Sequence, residues 1–230
     1  MSSRFRCLFI VLRTKAGYHI RLMLKALLLV IDPTGTWGKV IEARRGVAGI
    51  ILLQLLPILL ITSFAEGYGM VHWGKMQHNF AYMRKFTVGE VVIFETAQLI
   101  LSMAVVFIAA KIIKSLGETF HGRHTYSQAF TTVAYGLSPM FALRLADMSP
   151  SINPWLPWAL GAGLCIMAFY QGVPRVMEPD PPHAFGLYIT SSLLITMTTG
   201  LARLLTAWYL AGRLEALDTF VQNLAKHLPF

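Results

Sequence analysis

Apolar residues along this chain are gathered into long blocks instead of the short alternating or helical stripes of a water-soluble fold. Crossing about 30 Å of hydrocarbon at about 1.5 Å per residue takes roughly 20 mainly apolar residues in a helix, and five blocks qualify. Residues 46–64 carry no charge and lie between Arg44 and Arg45 on one side and Glu66 on the other. Residues 91–110 are interrupted only by Glu95. Residues 125–143 are uncharged between His124 and Arg144, with Pro139 near the end, where a kink or an early stop is expected. Residues 155–173 form the fourth block; residues 186–211 form the fifth, longer than a span requires and with Arg203 well inside it.

Two shorter segments flank these blocks and have a different period. In residues 19–31, Ile20, Met23, Leu24, Leu27 and Ile31 fall at helical spacing, with Arg21 and Lys25 four apart and off that stripe. This pattern predicts a helix lying in the membrane interface. Leu214, Leu217, Val221, Leu224 and Leu228 repeat it after the fifth block and predict a second surface helix. The apolar run at residues 7–12 is too short for the core of a signal peptide and no small-residue cleavage site follows, so none is expected. The sequence therefore predicts an all-α polytopic membrane protein: a basic segment 1–45, a five-helix membrane domain 46–211 and an amphipathic tail 212–230.

Composition supports this reading. Of 230 residues, 55% are hydrophobic and 13% charged, with a mean hydropathy of +0.56, which leaves too little polar surface for a soluble, disordered or nucleic-acid-binding protein. The net charge of +9 then bears on orientation and on anionic lipid as a partner, and not on nucleic acid. Placing the N-terminus in the cytoplasm puts 13 Lys and Arg in the inner segments against 5 in the outer ones, the bias expected for a bacterial cytoplasmic membrane. Arg21, Lys25, Arg44 and Arg45 are the basic residues expected at that inner surface. Cys7 and Cys165 lie in very different segments and form no metal-ligand spacing.

Polar residues inside hydrocarbon are costly unless partnered, so they are the first candidates for a site. With the second block running inward and the third and fifth outward, Glu90, Glu95, Arg144, Asp147 and Arg203 converge on one level near the outer leaflet. Pairing is the ordinary solution for such a group, and an ion or proton relay the sharper one. Glu95 is expected to pair with Arg203 or, as second choice, Arg144. Ser192, Thr196, Thr199, Arg203 and Thr206 recur at intervals of three and four. They lay a polar stripe down the fifth helix, read as helix packing or as a hydrophilic path. His72 with His78, and His121 with His124, have no carboxylate or Cys at ligand spacing and read as solvated or interfacial. The segment 65–87, rich in Tyr, Trp and Met, is expected as a loop on the outer interface, with Trp155 and Trp158 at the same level. No metal, cofactor or known catalytic motif is expected.

Three segments carry a family resemblance. Before the first block, residues 32–41 read Asp-Pro-Thr-Gly-Thr-Trp-Gly-Lys-Val-Ile, with Pro33, Trp37 and Ile41 four apart. In the third block Ala134, Tyr135, Gly136, Leu137, Ser138 and Pro139 form a Gly-Tyr segment ending in Pro, and after the fourth comes Gly172-Val173-Pro174-Arg175-Val176. Together they resemble the bacterial branch of the Yip family, membrane proteins named for interacting with Ypt and Rab GTPases. The resemblance implies a polytopic, non-enzymatic protein acting as a scaffold, assembly or membrane-organising factor, with protein partners in a membrane complex. The Asp-Leu-Tyr-Gly-Pro motif of the eukaryotic branch has no counterpart here, so Rab-type binding is not implied. A small transporter or channel subunit, or an accessory subunit of a larger complex, is the alternative expectation.

Overall fold

The computed structural model describes residues 33–77, 82–120 and 124–226; the expected helix at 19–31, with Arg21 and Lys25, lies outside them. Helix α1 (Pro33–Glu42) leads through a turn, in which Arg44 takes a φ of 39°, into α2 (Val47–His72). α2 contains a π-helical turn at Ile51–Leu55 and runs on past residue 64, so that Glu66 stands within the helix and not beyond its end. The expected loop 65–87 is consequently short. After Gly74, at φ 82°, it is an antiparallel hairpin of β1 (Lys75–Gln77) and β2 (Tyr82–Arg84), with Lys75 opposite Arg84 and Met76 opposite Met83.

Helix α3 (Val88–Thr119) starts at a capping box, in which the Thr87 hydroxyl accepts from the Glu90 N–H and the Glu90 carboxylate accepts from the Thr87 N–H. A second box, Thr125 with Gln128, opens α4 (Tyr126–Gly136). The third apolar block is not one helix. α4 gives way to α5 (Ser138–Leu143) and then a 3-10 turn at Arg144–Met148, because Pro139 has no N–H to offer the Tyr135 carbonyl. α6 (Trp155–Met177), α7 (Pro181–Leu210) and the short α8 (Glu215–Ala225) complete the chain.

Helices α2, α3, α6 and α7 are each long and apolar enough to cross a membrane. Their outward faces carry Leu52, Phe64, Ile100 and Met197, each more than half exposed, the inverse of a soluble helix and what a lipid surface requires. The fold is an all-α membrane fold, the hairpin being its only strands among the described residues.

The larger core runs through the bundle around Trp37, Phe130, Leu137 and Phe169, and a smaller one of Met70, Phe86, Phe94, Tyr209 and Val221 sits under the hairpin. Two glycines fix the ends. At the hairpin end a Cβ on Gly69 would lie 2.2 Å from the Met148 carbonyl oxygen, so the α2 backbone meets the 3-10 turn directly. At the opposite end a Cβ on Gly172 would lie 2.4 Å from Trp37 Cζ2, so α6 admits the indole of α1 only because it has none.

The C-terminal stripe divides along its length. Val221 is buried with Leu214 packed nearby, whereas Leu217, Phe220 and Leu224 are exposed. At 100° per residue the apolar arc is wide enough for one edge to pack on the bundle while the other turns outward.

Candidate functional site

The charges collect where α2, α3, the 3-10 turn and α7 meet at the hairpin end. Glu66 and Glu95 sit about 10 Å from the ends of their helices at about 1.5 Å per residue. Arg144, at the start of the 3-10 turn, reaches both: Nη2 lies 2.9 Å from Glu66 Oε2 and 3.2 Å from Glu95 Oε2. The Gln98 side-chain amide, one turn below Glu95, lies 3.0 Å from Arg144 Nη2 and 3.2 Å from Nε, and the hydrogen-bonding pattern assigns its oxygen to that side as acceptor. Lys75 of β1 lies 3.8 Å from Glu66 Oε1 and donates to the Asp147 carbonyl. Arg203 of α7 donates to Asp147 Oδ1 at 2.6 Å and to the Pro154 carbonyl from Nε at 3.0 Å and Nη2 at 2.6 Å.

The network is neutral, with Lys75, Arg144 and Arg203 set against Glu66, Glu95 and Asp147. It is also shielded from bulk solvent: Glu66 is fully buried, and Glu95, Arg144, Asp147 and Arg203 are each no more than 8% exposed. Charges removed from water this completely are stable only when paired and hydrogen-bonded. Glu66 Oε1, Glu95 Oε1, Asp147 Oδ2 and Arg144 Nη1 nevertheless lack a hydrogen-bond partner.

The structure brings Glu95, Arg144, Asp147 and Arg203 together but pairs them differently from the expectation. Glu95 pairs with Arg144, the second choice, because Arg203 is taken by Asp147 and the Pro154 carbonyl. Glu90 is not in the network: it caps α3 and accepts from Arg84 Nη2 at 2.7 Å. Arg84 also donates from Nη1 to Asp218 Oδ2 at 2.6 Å, tying α8 to the hairpin, and lies 4.7 Å over the Phe86 ring. Burial works against that guanidinium, but Asp218 and Glu90 outweigh it and hold its pKa above the ordinary value. Glu66 was missed as a member because it reads as the boundary of the first block, and Lys75 because it reads as a residue of the outer loop 65–87. The signal was there, since Ala65, Gly67, Gly69, Met70 and Val71 continue the apolar run beyond Glu66.

The polar stripe of α7 is bonded mostly to itself. Thr196 donates to Ser192 O at 2.9 Å, Thr199 to Ile195 O at 2.7 Å and Thr206 to Arg203 O at 3.0 Å. Thr199 also accepts from Trp158 Nε1 at 3.4 Å, and Ser192 is buried without a partner for its hydroxyl. Two cavities meet at Arg203. One of about 70 Å³ reaches into the bundle past Gln98, Phe141 and Thr199, and one of about 230 Å³ lies beside Glu66, Lys75 and Trp155.

The segments that carry the resemblance converge at the other end. Trp37 is fully buried, edge-on to Tyr135 with ring centroids 6.4 Å apart, and seated on Gly172. Gly136 faces Phe169, Pro139 is buried at the start of α5, Pro33 opens α1, and Ile41 is 41% exposed. Arg44 is exposed, and half-buried Arg45 donates to the Tyr135 hydroxyl at 3.3 Å.

A family model described as the Yip1 domain matches residues 27–204, more than three quarters of the chain and all six members of the buried network. Comparison with curated proteins and with solved structures gives no match.

Proposed function

Because the chain belongs to the Yip1 domain family, we propose that it is a non-enzymatic scaffold or membrane-organising protein of a bacterial cytoplasmic membrane. In this reading it crosses the bilayer five times, with α4 and α5 together as the third crossing, the N-terminus cytoplasmic and α8 on the outer interface. Its partners are anionic lipid at the basic N-terminal segment and other proteins of a membrane complex. The observation that carries the reading is the closure of the buried network: each cation is bound to a carboxylate or a carbonyl of another element. Charges spent in this way hold helices together and are poorly placed to release an ion.

Purification in mild detergent tests it, the expected result being protein partners that accompany the chain at fixed stoichiometry. The two cavities at Arg203 favour a second reading, a small transporter or channel subunit. Arg203→Ala separates the two: a structural role predicts lost protein abundance, whereas folded Arg203→Ala protein that has lost a measurable ion flux in proteoliposomes overturns the scaffold reading.

A further inference from the structure

At the end opposite the hairpin, a cavity of about 310 Å³ lies between the α1–α2 turn, the start of α4 and the end of α6. Arg44, Arg45 and Arg175 line it, with Glu178 as the one carboxylate on its wall, a local excess of two positive charges. None of the three arginines is ion-paired among the described residues, whereas Lys75, Arg84, Arg144 and Arg203 at the hairpin end all are. Two of the neutral donors here are already occupied. The Thr125 hydroxyl donates to Gln128 Oε1 and the Thr131 hydroxyl to Ser127 O. What the cavity offers is guanidinium N–H, the group best suited to bind phosphate oxygens.

Position selects the source of the phosphate. Arg44 and Arg45 stand just before Gly46, the N-cap of α2, and Arg175 stands two residues before the end of α6, so all three lie at the ends of apolar spans, where lipid headgroups reside. Exposed Ile41 on the same wall gives an acyl chain an apolar surface. The cavity is built by the three segments that lie far apart in sequence, through Ile41, Tyr135, Arg175 and Val176, so only the folded protein assembles it.

We propose that this pocket binds the phosphate of an anionic phospholipid headgroup. The proposal deepens the lipid-partner part of the reading above and stands independently of the scaffold role, which partner co-purification tests separately.

The test uses the full chain in nanodiscs of phosphatidylcholine alone or with phosphatidylglycerol, reading thermal unfolding and the phosphatidylglycerol retained after detergent extraction. The wild type should be stabilised by phosphatidylglycerol and retain it at least about tenfold better than Arg44→Gln/Arg45→Gln/Arg175→Gln, given the attraction of each basic residue for an anionic surface. A charge-matched control at the same end, Lys39→Gln/Lys111→Gln/Lys114→Gln, should behave as wild type, and Glu178→Gln should retain more lipid than wild type. If the triple arginine variant does not fold, Arg44→Gln and Arg175→Gln singly should each show a partial loss. Equal losses in the arginine and lysine variants would reduce the effect to diffuse surface charge and overturn the site. The same stabilisation by inorganic phosphate in phosphatidylcholine nanodiscs, with none added by phosphatidylglycerol, would overturn the lipid as its source.

Discussion

Arg144 is the residue on which the buried network turns, since it alone touches both glutamates. Replacing it with alanine leaves Glu95 without a cation and Glu66 with only Lys75 at 3.8 Å, in a buried site, and should cost about 3–5 kcal/mol, read as a large drop in the midpoint of thermal unfolding in detergent. Arg144→Lys keeps the charge but cannot reach both carboxylates and the Gln98 oxygen with one planar group, so it should fall between wild type and alanine. An unchanged midpoint in Arg144→Ala would remove the structural role assigned to the network. At the other end His124, expected in solvent or at the interface, is buried instead, and burial holds it below the ordinary imidazole pKa of 6.5, with the Lys114 backbone partly opposing it. The unfolded chain therefore takes up this proton before the folded one does. The His124 contribution is complete above pH 6.5 and is lost as the pH falls through that value toward the folded pKa. Stability measured between pH 7.5 and 5 should decline for the wild type and decline less for His124→Gln.

Between elements, contacts made by single side chains govern how the outer pieces attach. α8 is held by Val221 in the small core and by Arg84, which joins Asp218 of α8 to Glu90 of α3 through two charge-assisted bonds. Arg84 and Asp218 keep some exposure, so the link is worth about 1 kcal/mol and not the several of a fully buried pair. Arg84→Ala should leave the bundle folded while amide exchange across residues 215–225 rises by about fivefold. Exchange unchanged in α8 would assign its docking to apolar packing, Val221 in the small core and Ala225 against Gly89. The break between α4 and α5 belongs to the same scale. A proline that ends one helix lets the chain turn, and the 3-10 turn that follows presents Arg144 and Asp147 to different neighbours, α2 and α3 on one side and α7 on the other.

The whole molecule has two chemically distinct ends, one with its charges closed on each other and one with arginines facing a cavity. If the second end faces the cytoplasm, a single cysteine placed in residues 212–226 should react with a membrane-impermeant maleimide in intact cells. Labelling only after the membrane is opened would reverse the orientation or change the number of crossings. Much of this organisation is legible in the chain itself. Four of the apolar blocks are helices long enough to span because a run of that length has no other way to satisfy its backbone in hydrocarbon, and Pro139 marks a break because proline lacks a donor wherever it stands. Charge balance likewise brings Glu95, Arg144, Asp147 and Arg203 to one level, since depth follows from counting residues along a helix. Depth does not fix azimuth. Whether Glu95 meets Arg144 or Arg203 depends on which faces of α3, the 3-10 turn and α7 are turned together. Whether Glu66 ends a helix or lies buried within it depends on a partner 78 residues away in sequence. The same holds for the arginine cavity, whose walls come from three distant segments that only the seating of Trp37 on Gly172 brings into contact. Periodicity and hydropathy are properties of neighbours along the chain and survive without a fold; pairings across the bundle are set by packing and exist only within it.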